Sequence, residues 1–306
     1  MASRAGSHRR GWRLLLAVLV LVGAVAVVVQ RVSTLATEPV PAGHVFPTRS
    51  SVGLPRDWKP VQVITGDYWV RERGAVVEDL RVIGGNILVA AQDVTLRRIQ
   101  GVGAFVQTDA GKTCANGLVI EDSEFTPGDR TSDADPPVIG PGGFTVRRTV
   151  IDGVPEGIRV GGTNVGCGPV VVEDAYVRVA SPDRCTDWHG DGIQGYVGDR
   201  VTVRRSTLIM AAQGGCDGTA PFFYPSGQGN TSVDVDGLLV SGGGYPFRNG
   251  MPGRVVDLNV VEGSWGFGPV DVNCPVLAAW QAHVVRVNDD GSVTQLSEIA
   301  CTGSGT

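Results

Sequence analysis

Three stretches decide the fold: Val146-Arg147-Arg148-Thr149, Val172-Glu173-Asp174-Ala175 and Val203-Arg204-Arg205-Ser206. Each places a β-branched residue before a charged pair, and the pair changes sign from one copy to the next. Upstream, the unit recurs at Val77-Glu78-Asp79-Leu80, Leu96-Arg97-Arg98-Ile99 and Ile120-Glu121-Asp122-Ser123. Weaker copies occur downstream at Val235-Asp236-Gly237 and Val256-Asp257-Leu258. The steps between anchors are 19, 24, 26, 26, 31, 32 and 21 residues. Steps this variable argue against propeller blades, whose repeats are longer and need four strands each. They suit a solenoid in which each coil stacks on the last and insertions bulge from loops. Stacked strands lie about 4.8 Å apart. At that distance like charges repel and opposite charges attract, so the alternation reads as register control along one column. Each exposed pair contributes only about 0–1 kcal/mol, so the repulsion avoided matters at least as much as the attraction gained.

Composition agrees with a packed β protein. Of 306 residues, 44 are Gly, 42% are apolar and 19% are charged, which excludes a disordered chain. The net charge is −5 and only two lysines occur, Lys59 and Lys112, so nucleic acid is not an expected partner. No phosphate-binding loop, no dinucleotide fingerprint after a first strand and no zinc-spaced cysteine set is present. After residue 31 no segment keeps a helical period for twelve residues, and β-branched alternation dominates.

The N-terminus reads as an export signal. Arg4, Arg9, Arg10 and Arg13 precede an apolar run from Leu14 to Val29, flanked by Trp12 and Arg31. The arginines hold that end in the cytoplasm, so the chain beyond Arg31 lies outside the cell membrane and the protein is single-pass. Cleavage at Ala24-Val25-Ala26 is the rival reading and makes the protein secreted. The expected organisation is a stub and anchor over 1–31, a linker over 32–44 and one β domain over 45–306. Within that domain, 45–69 caps the first coil, 70–272 forms about eight coils and 273–306 closes the last. His283–Asn288, Asp289-Asp290-Gly291 and Ser292–Ile299 read as a closing β-hairpin.

Over about residues 70–272 the eight anchors resemble right-handed parallel β-helix proteins of the pectin-lyase-like superfamily. Phe46-Pro47 to Val52-Gly53-Leu54-Pro55 is similar to the entry segment of exported bacterial β-helix proteins. The fold class expected is all-β, a monomeric right-handed solenoid.

Export permits disulfides, and the repeat register suggests their pairing among fifteen connectivities. Cys185 and Cys216 each lie thirteen residues after an anchor on neighbouring coils. Cys274 and Cys301 bracket the hairpin, which leaves Cys114 for Cys167.

A second column lies between the anchors: Glu156-Gly157-Ile158-Arg159, Asp191-Gly192-Ile193-Gln194, Pro221-Phe222-Phe223-Tyr224 and Tyr245-Pro246-Phe247-Arg248. With Ile158, Ile193, Phe223 and Phe247 inward, alternation sends Arg159, Gln194, Tyr224 and Arg248 outward on one face. Glu156 and Asp191 lie at its edge, beside a loop carrying Asp187, Trp188 and His189. Asp191-Gly192-Ile193 resembles the Asp-Gly-Ile segment of β-helix polysaccharide hydrolases, which implies a catalytic Asp191. Near this segment that family's paired Asp-Asp is absent, and its Gly-His-Gly and Arg-Ile-Lys occur nowhere in the chain. The bland alternative is a turn in which Asp191 bonds its own backbone.

The expected partner is therefore an extracellular polysaccharide, and three functions fit. A lyase would use Arg159 or Arg248 as cation, His189 as base and Tyr224 as acid. It needs no cofactor, although a calcium ion held by Asp187, Asp191 and Glu156 could replace an arginine. A glycoside hydrolase would pair Asp191 with Glu156 or Asp187. A glycan-binding or structural envelope protein would use the same face, with Trp188 and Gln194 as contacts, and cleave nothing.

Overall fold

The computed structural model describes residues 45–303 apart from 131, 133–135, 164, 184, 186, 214, 215 and 217. The predicted anchor over 14–29 lies outside the described residues; among those described, no helix is long and apolar enough to cross a membrane.

The chain is all-β. Strands pair in parallel with strands about one repeat later in sequence, an arrangement consistent with a parallel β-helix. The anchor column forms as the alternating charges require. Glu78 pairs with Arg97, Arg97 with Glu121, Glu121 with Arg147, Arg147 with Glu173, Glu173 with Arg204, and Arg204 with Asp236. Arg97 lies 2.8 Å from Glu78 and 2.6 Å from Glu121, and Arg204 lies 3.2 Å from Glu173. The inward anchors Leu96, Ile120, Val146, Val172, Val203 and Val235 have no solvent exposure and form the continuous core.

The second member of each charged pair turns a corner. Asp79, Arg98, Asp122, Arg148, Asp174 and Arg205 all have left-handed backbones, with φ between 42° and 54°. Gly237 and Asp257 continue that column at φ 79° and 52°. Left-handed geometry costs an L-residue about 1–2 kcal/mol, least for Asp and Asn. Bidentate cross-rung pairs offset it: Arg98 with Asp79, Arg148 with Asp122 and Arg205 with Asp174 at 2.7–2.8 Å. The corner shows that the last anchor is one residue earlier than expected. Val235 pairs with Val255, and Asp257 rather than Leu258 occupies the corner position after Gly237. Two adjacent valines hide that register.

The caps also differ from expectation. Gln62–Thr65 and Tyr68–Val70 already pair in parallel with Leu80–Val89, so stacking starts before residue 70. Leu277–Val287 pairs in parallel with Gly253–Val261, so it continues past 272. Val293–Glu298 then adds antiparallel, as the hairpin predicts. Residues 45–58 do not cover the first coil but run as a strap along the stack. Phe46 packs on Leu239 and Val285 and donates its N–H to Gly291. Pro47 accepts from Thr207, and Arg49 bridges Asp152 at 2.6 Å and Glu124 at 2.8 Å. Gly53 donates to Arg148, and the Trp58 indole reaches Asp79. The strap hides an outward stripe, Val150, Tyr176, Thr207 and Leu239, that alternation alone would leave wet.

The three expected disulfides form: Cys114–Cys167, Cys185–Cys216 and Cys274–Cys301, with Cα atoms 5.0, 6.0 and 5.6 Å apart. Three disulfides in one chain point to an oxidising setting, extracellular or periplasmic.

Candidate functional site

The second column exists, with one slip. Ile158 pairs with Ile193, Ile193 with Phe222, and Phe222 with Phe247. Phe222, not Phe223, therefore points inward, where it stacks on Phe247 with ring centroids 4.6 Å apart. A one-residue shift sends every side chain of that strand to the other face. The outward row reads Arg159, Gln194, Phe223, Arg248 and Asp271. Tyr224 is enclosed; its hydroxyl donates to the Asp199 carbonyl, and burial raises its pKa further from any acid role.

Trp188 is likewise covered. It is 3% exposed and its indole N–H donates to the Pro155 carbonyl at 2.9 Å. Gly190 makes this possible, since a Cβ there would lie 2.1 Å from the Trp188 Nε1. Trp188 therefore offers no ring to a sugar.

Asp191 has no solvent exposure. Its Oδ1 accepts from the Ala220 N–H of the next rung at 3.0 Å, so it ties two rungs together rather than capping its own turn. Burial, and then the neighbouring Glu156, push its carboxyl well above the usual range; the Ala220 N–H and the charges of Arg159 and Arg248 oppose the shift. Burial raises Glu156 too, tempered by Arg159 at 2.8 Å. Arg159 Nε, Asp191 Oδ2 and Gln194 Oε1 are buried without a hydrogen-bond partner among the described residues. These groups form a polar layer in which Asp191 is fully covered while the Arg159 side chain keeps 28% of its surface exposed.

The open space lies beside it. A cleft of about 750 Å³ is lined by His189, Tyr245, Arg248, Trp265 and Phe267 over a floor of glycines from successive rungs. That size is within the roughly 300–1,000 Å³ of ligand sites. Its loops are held in register by Thr219 donating to Gly190, Gly266 to Gly243 and Phe267 to Gly244. Gly244 lets the Phe267 ring lie close, since a Cβ there would be 2.8 Å from it and the ring would have to shift. Tyr245 and Phe267 have centroids 5.7 Å apart, tilted by 48°, and Phe267 is 80% exposed. The Arg248 guanidinium lies over Phe223 and Tyr245 at 5.1 and 5.8 Å and is 3.0 Å from Asp271. His189 stands at the rim, 3.0 Å from Asp187, with both side chains exposed.

Of the predicted set, His189 and Arg248 therefore reach one cleft, with Asp187 beside the histidine. Arg159, Glu156, Asp191 and Gln194 lie together in the adjoining layer, and Trp188 and Tyr224 belong to the interior. Among the described residues no three His, Cys, Asp or Glu side chains are grouped to hold a metal ion. Strand alternation gives no place in a site to Trp265 and Phe267, and it leaves Tyr245 outside the outward row. A different signal marks all three: in Gly242-Gly243-Gly244-Tyr245 and Gly263-Ser264-Trp265-Gly266-Phe267-Gly268 the aromatics sit among glycines, with no alternation to bury them. Comparison of the chain with protein-family models, curated proteins and solved structures finds no match.

Proposed function

We propose that this is an exported, membrane-anchored protein of the right-handed parallel β-helix type, similar to the pectin-lyase-like superfamily, that contacts extracellular polysaccharide. One observation carries the reading: Tyr245, Trp265 and Phe267 line a single open cleft beside Arg248. Aromatic rings offer flat apolar faces to the C–H faces of a pyranose, and a guanidinium supplies directed donors to its oxygens. The three disulfides and the arginine-flanked apolar run support export. The full burial of Asp191 favours binding over hydrolysis, because a carboxylate with no exposed atom meets no glycosidic bond. Elimination is the second reading. His189, Tyr245 and Arg248 line the same cleft and could act as base, acid and cation, with Tyr245 in place of Tyr224.

A polysaccharide screen tests these together. Retained binding without new chain ends supports the binding module. Unsaturated-uronate absorbance with reducing ends would establish the lyase, and reducing ends alone a hydrolase. Absence of binding to every polymer defeats the polysaccharide reading.

A further inference from the structure

We infer that the cleft selects an uncharged polysaccharide over a polyuronate. This deepens, and rests on, the glycan-binding reading, and it runs against elimination, which requires a uronate. Among the described residues two basic side chains line the cleft, His189 and Arg248, and each already has a carboxylate beside it. Asp271 lies 3.0 Å from the Arg248 guanidinium, and Asp187 lies 3.0 Å from His189. Among the described residues the cleft thus holds no surplus positive charge, and the whole chain carries −5. A uronate carboxylate loses hydration on entering such a site and needs an uncompensated cation in return. The long-range field adds nothing to draw a polyanion in.

The apolar lining points the same way. Tyr245, Trp265 and Phe267 supply ring faces, and Arg248 is fixed between Phe223 and Tyr245, which leaves its remaining N–H groups to donate to neutral hydroxyl or ring oxygens. Stacking of this kind depends on buried apolar area and is insensitive to salt, whereas a charge-led site loses affinity as the Debye length shrinks.

The test titrates the full chain with soluble neutral β-glucan, mannan and xylan, and with polygalacturonate, at 50 and 500 mM salt. The inference expects one neutral polymer to bind with less than a twofold change in Kd between the salts, and polygalacturonate to bind at least tenfold more weakly. Asp271→Asn, which is isosteric and leaves Arg248 uncompensated, should raise polygalacturonate affinity at least fivefold at low salt. A wild type that prefers polygalacturonate, with a tenfold loss at high salt, overturns the inference but keeps the glycan-binding reading. No rise for a folded Asp271→Asn, judged by its melt, also overturns it, since Asp271 would then not be what excludes the anion. No binding to any polymer overturns both.

Discussion

At the scale of single residues, Asp191 shows how position changes meaning. A buried acid whose pKa is raised on folding binds its proton more tightly in the native state than in the unfolded chain. Stability therefore falls as pH rises from about 4, the ordinary range of the carboxyl, towards the raised native value. Asp191→Asn keeps an acceptor for the Ala220 N–H and removes the ionisation. Its melting temperature is expected to equal or exceed that of the wild type at pH 7.5 and to depend less on pH between 4 and 8. Asp191→Ala strands the Ala220 N–H and should cost about 1–3 kcal/mol. A wild-type melt that climbs across that range while Asp191→Asn loses stability would show that the carboxylate is needed in its charged form.

At the scale of elements, the corner column governs register. Glu121 illustrates its strength: burial opposes ionisation, yet hydrogen bonds from Arg97, Arg147 and Arg148 pull its pKa down to about 2. The stability this lends is complete above pH 4.5 and is lost as pH falls towards 2. The left-handed residue in each pair also makes a distinction that exposure alone does not. Arg204 and Arg205 have side chains 44% and 48% exposed, but only Arg205 has a positive φ, of 42°. Arg205→Val should therefore destabilise by about 1–2 kcal/mol more than Arg204→Val in denaturant titrations, because a β-branched side chain resists that backbone. Equal costs would mean that the corner carries no conformational selection. The swap Arg205→Glu with Asp174→Arg should recover part of what Arg205→Glu loses, about 1 kcal/mol for a half-exposed pair, because the new arginine neighbours Arg148 on the preceding rung. The column was legible in the sequence because two adjacent charges repeat with opposite sign. The slip in Phe222-Phe223 and the late anchor at Val256 were not, since two like residues side by side fit either face.

At the scale of the molecule, the strap was invisible to sequence reasoning. Nothing in its Gly- and Pro-containing run encodes partners such as Glu124 and Thr207, 75 and 160 residues away. The structure makes it a brace: Phe46 is 2% exposed against Leu239 and Val285, and Arg49 spans two rungs. Phe46→Ala should cost about 3 kcal/mol in thermal or chemical unfolding, at the lower end for a buried Phe because the strap can partly collapse. A loss below about 1 kcal/mol would show that the strap rides on the stack without stabilising it. The candidate site was half legible for a related reason. Strand alternation predicted the row from Arg159 to Arg248, but the cleft beside it is built by glycine-rich loops whose approach depends on the stacking itself.

Whether the rings of this cleft hold a polysaccharide is read from the affinity of the Tyr245→Ala, Phe267→Ala double variant. Phe267 is 80% exposed and Tyr245 is partly exposed, so the melt should move little, whereas the affinity for whichever polymer the wild type binds should fall at least tenfold. An unchanged affinity in a folded double variant would contradict the account.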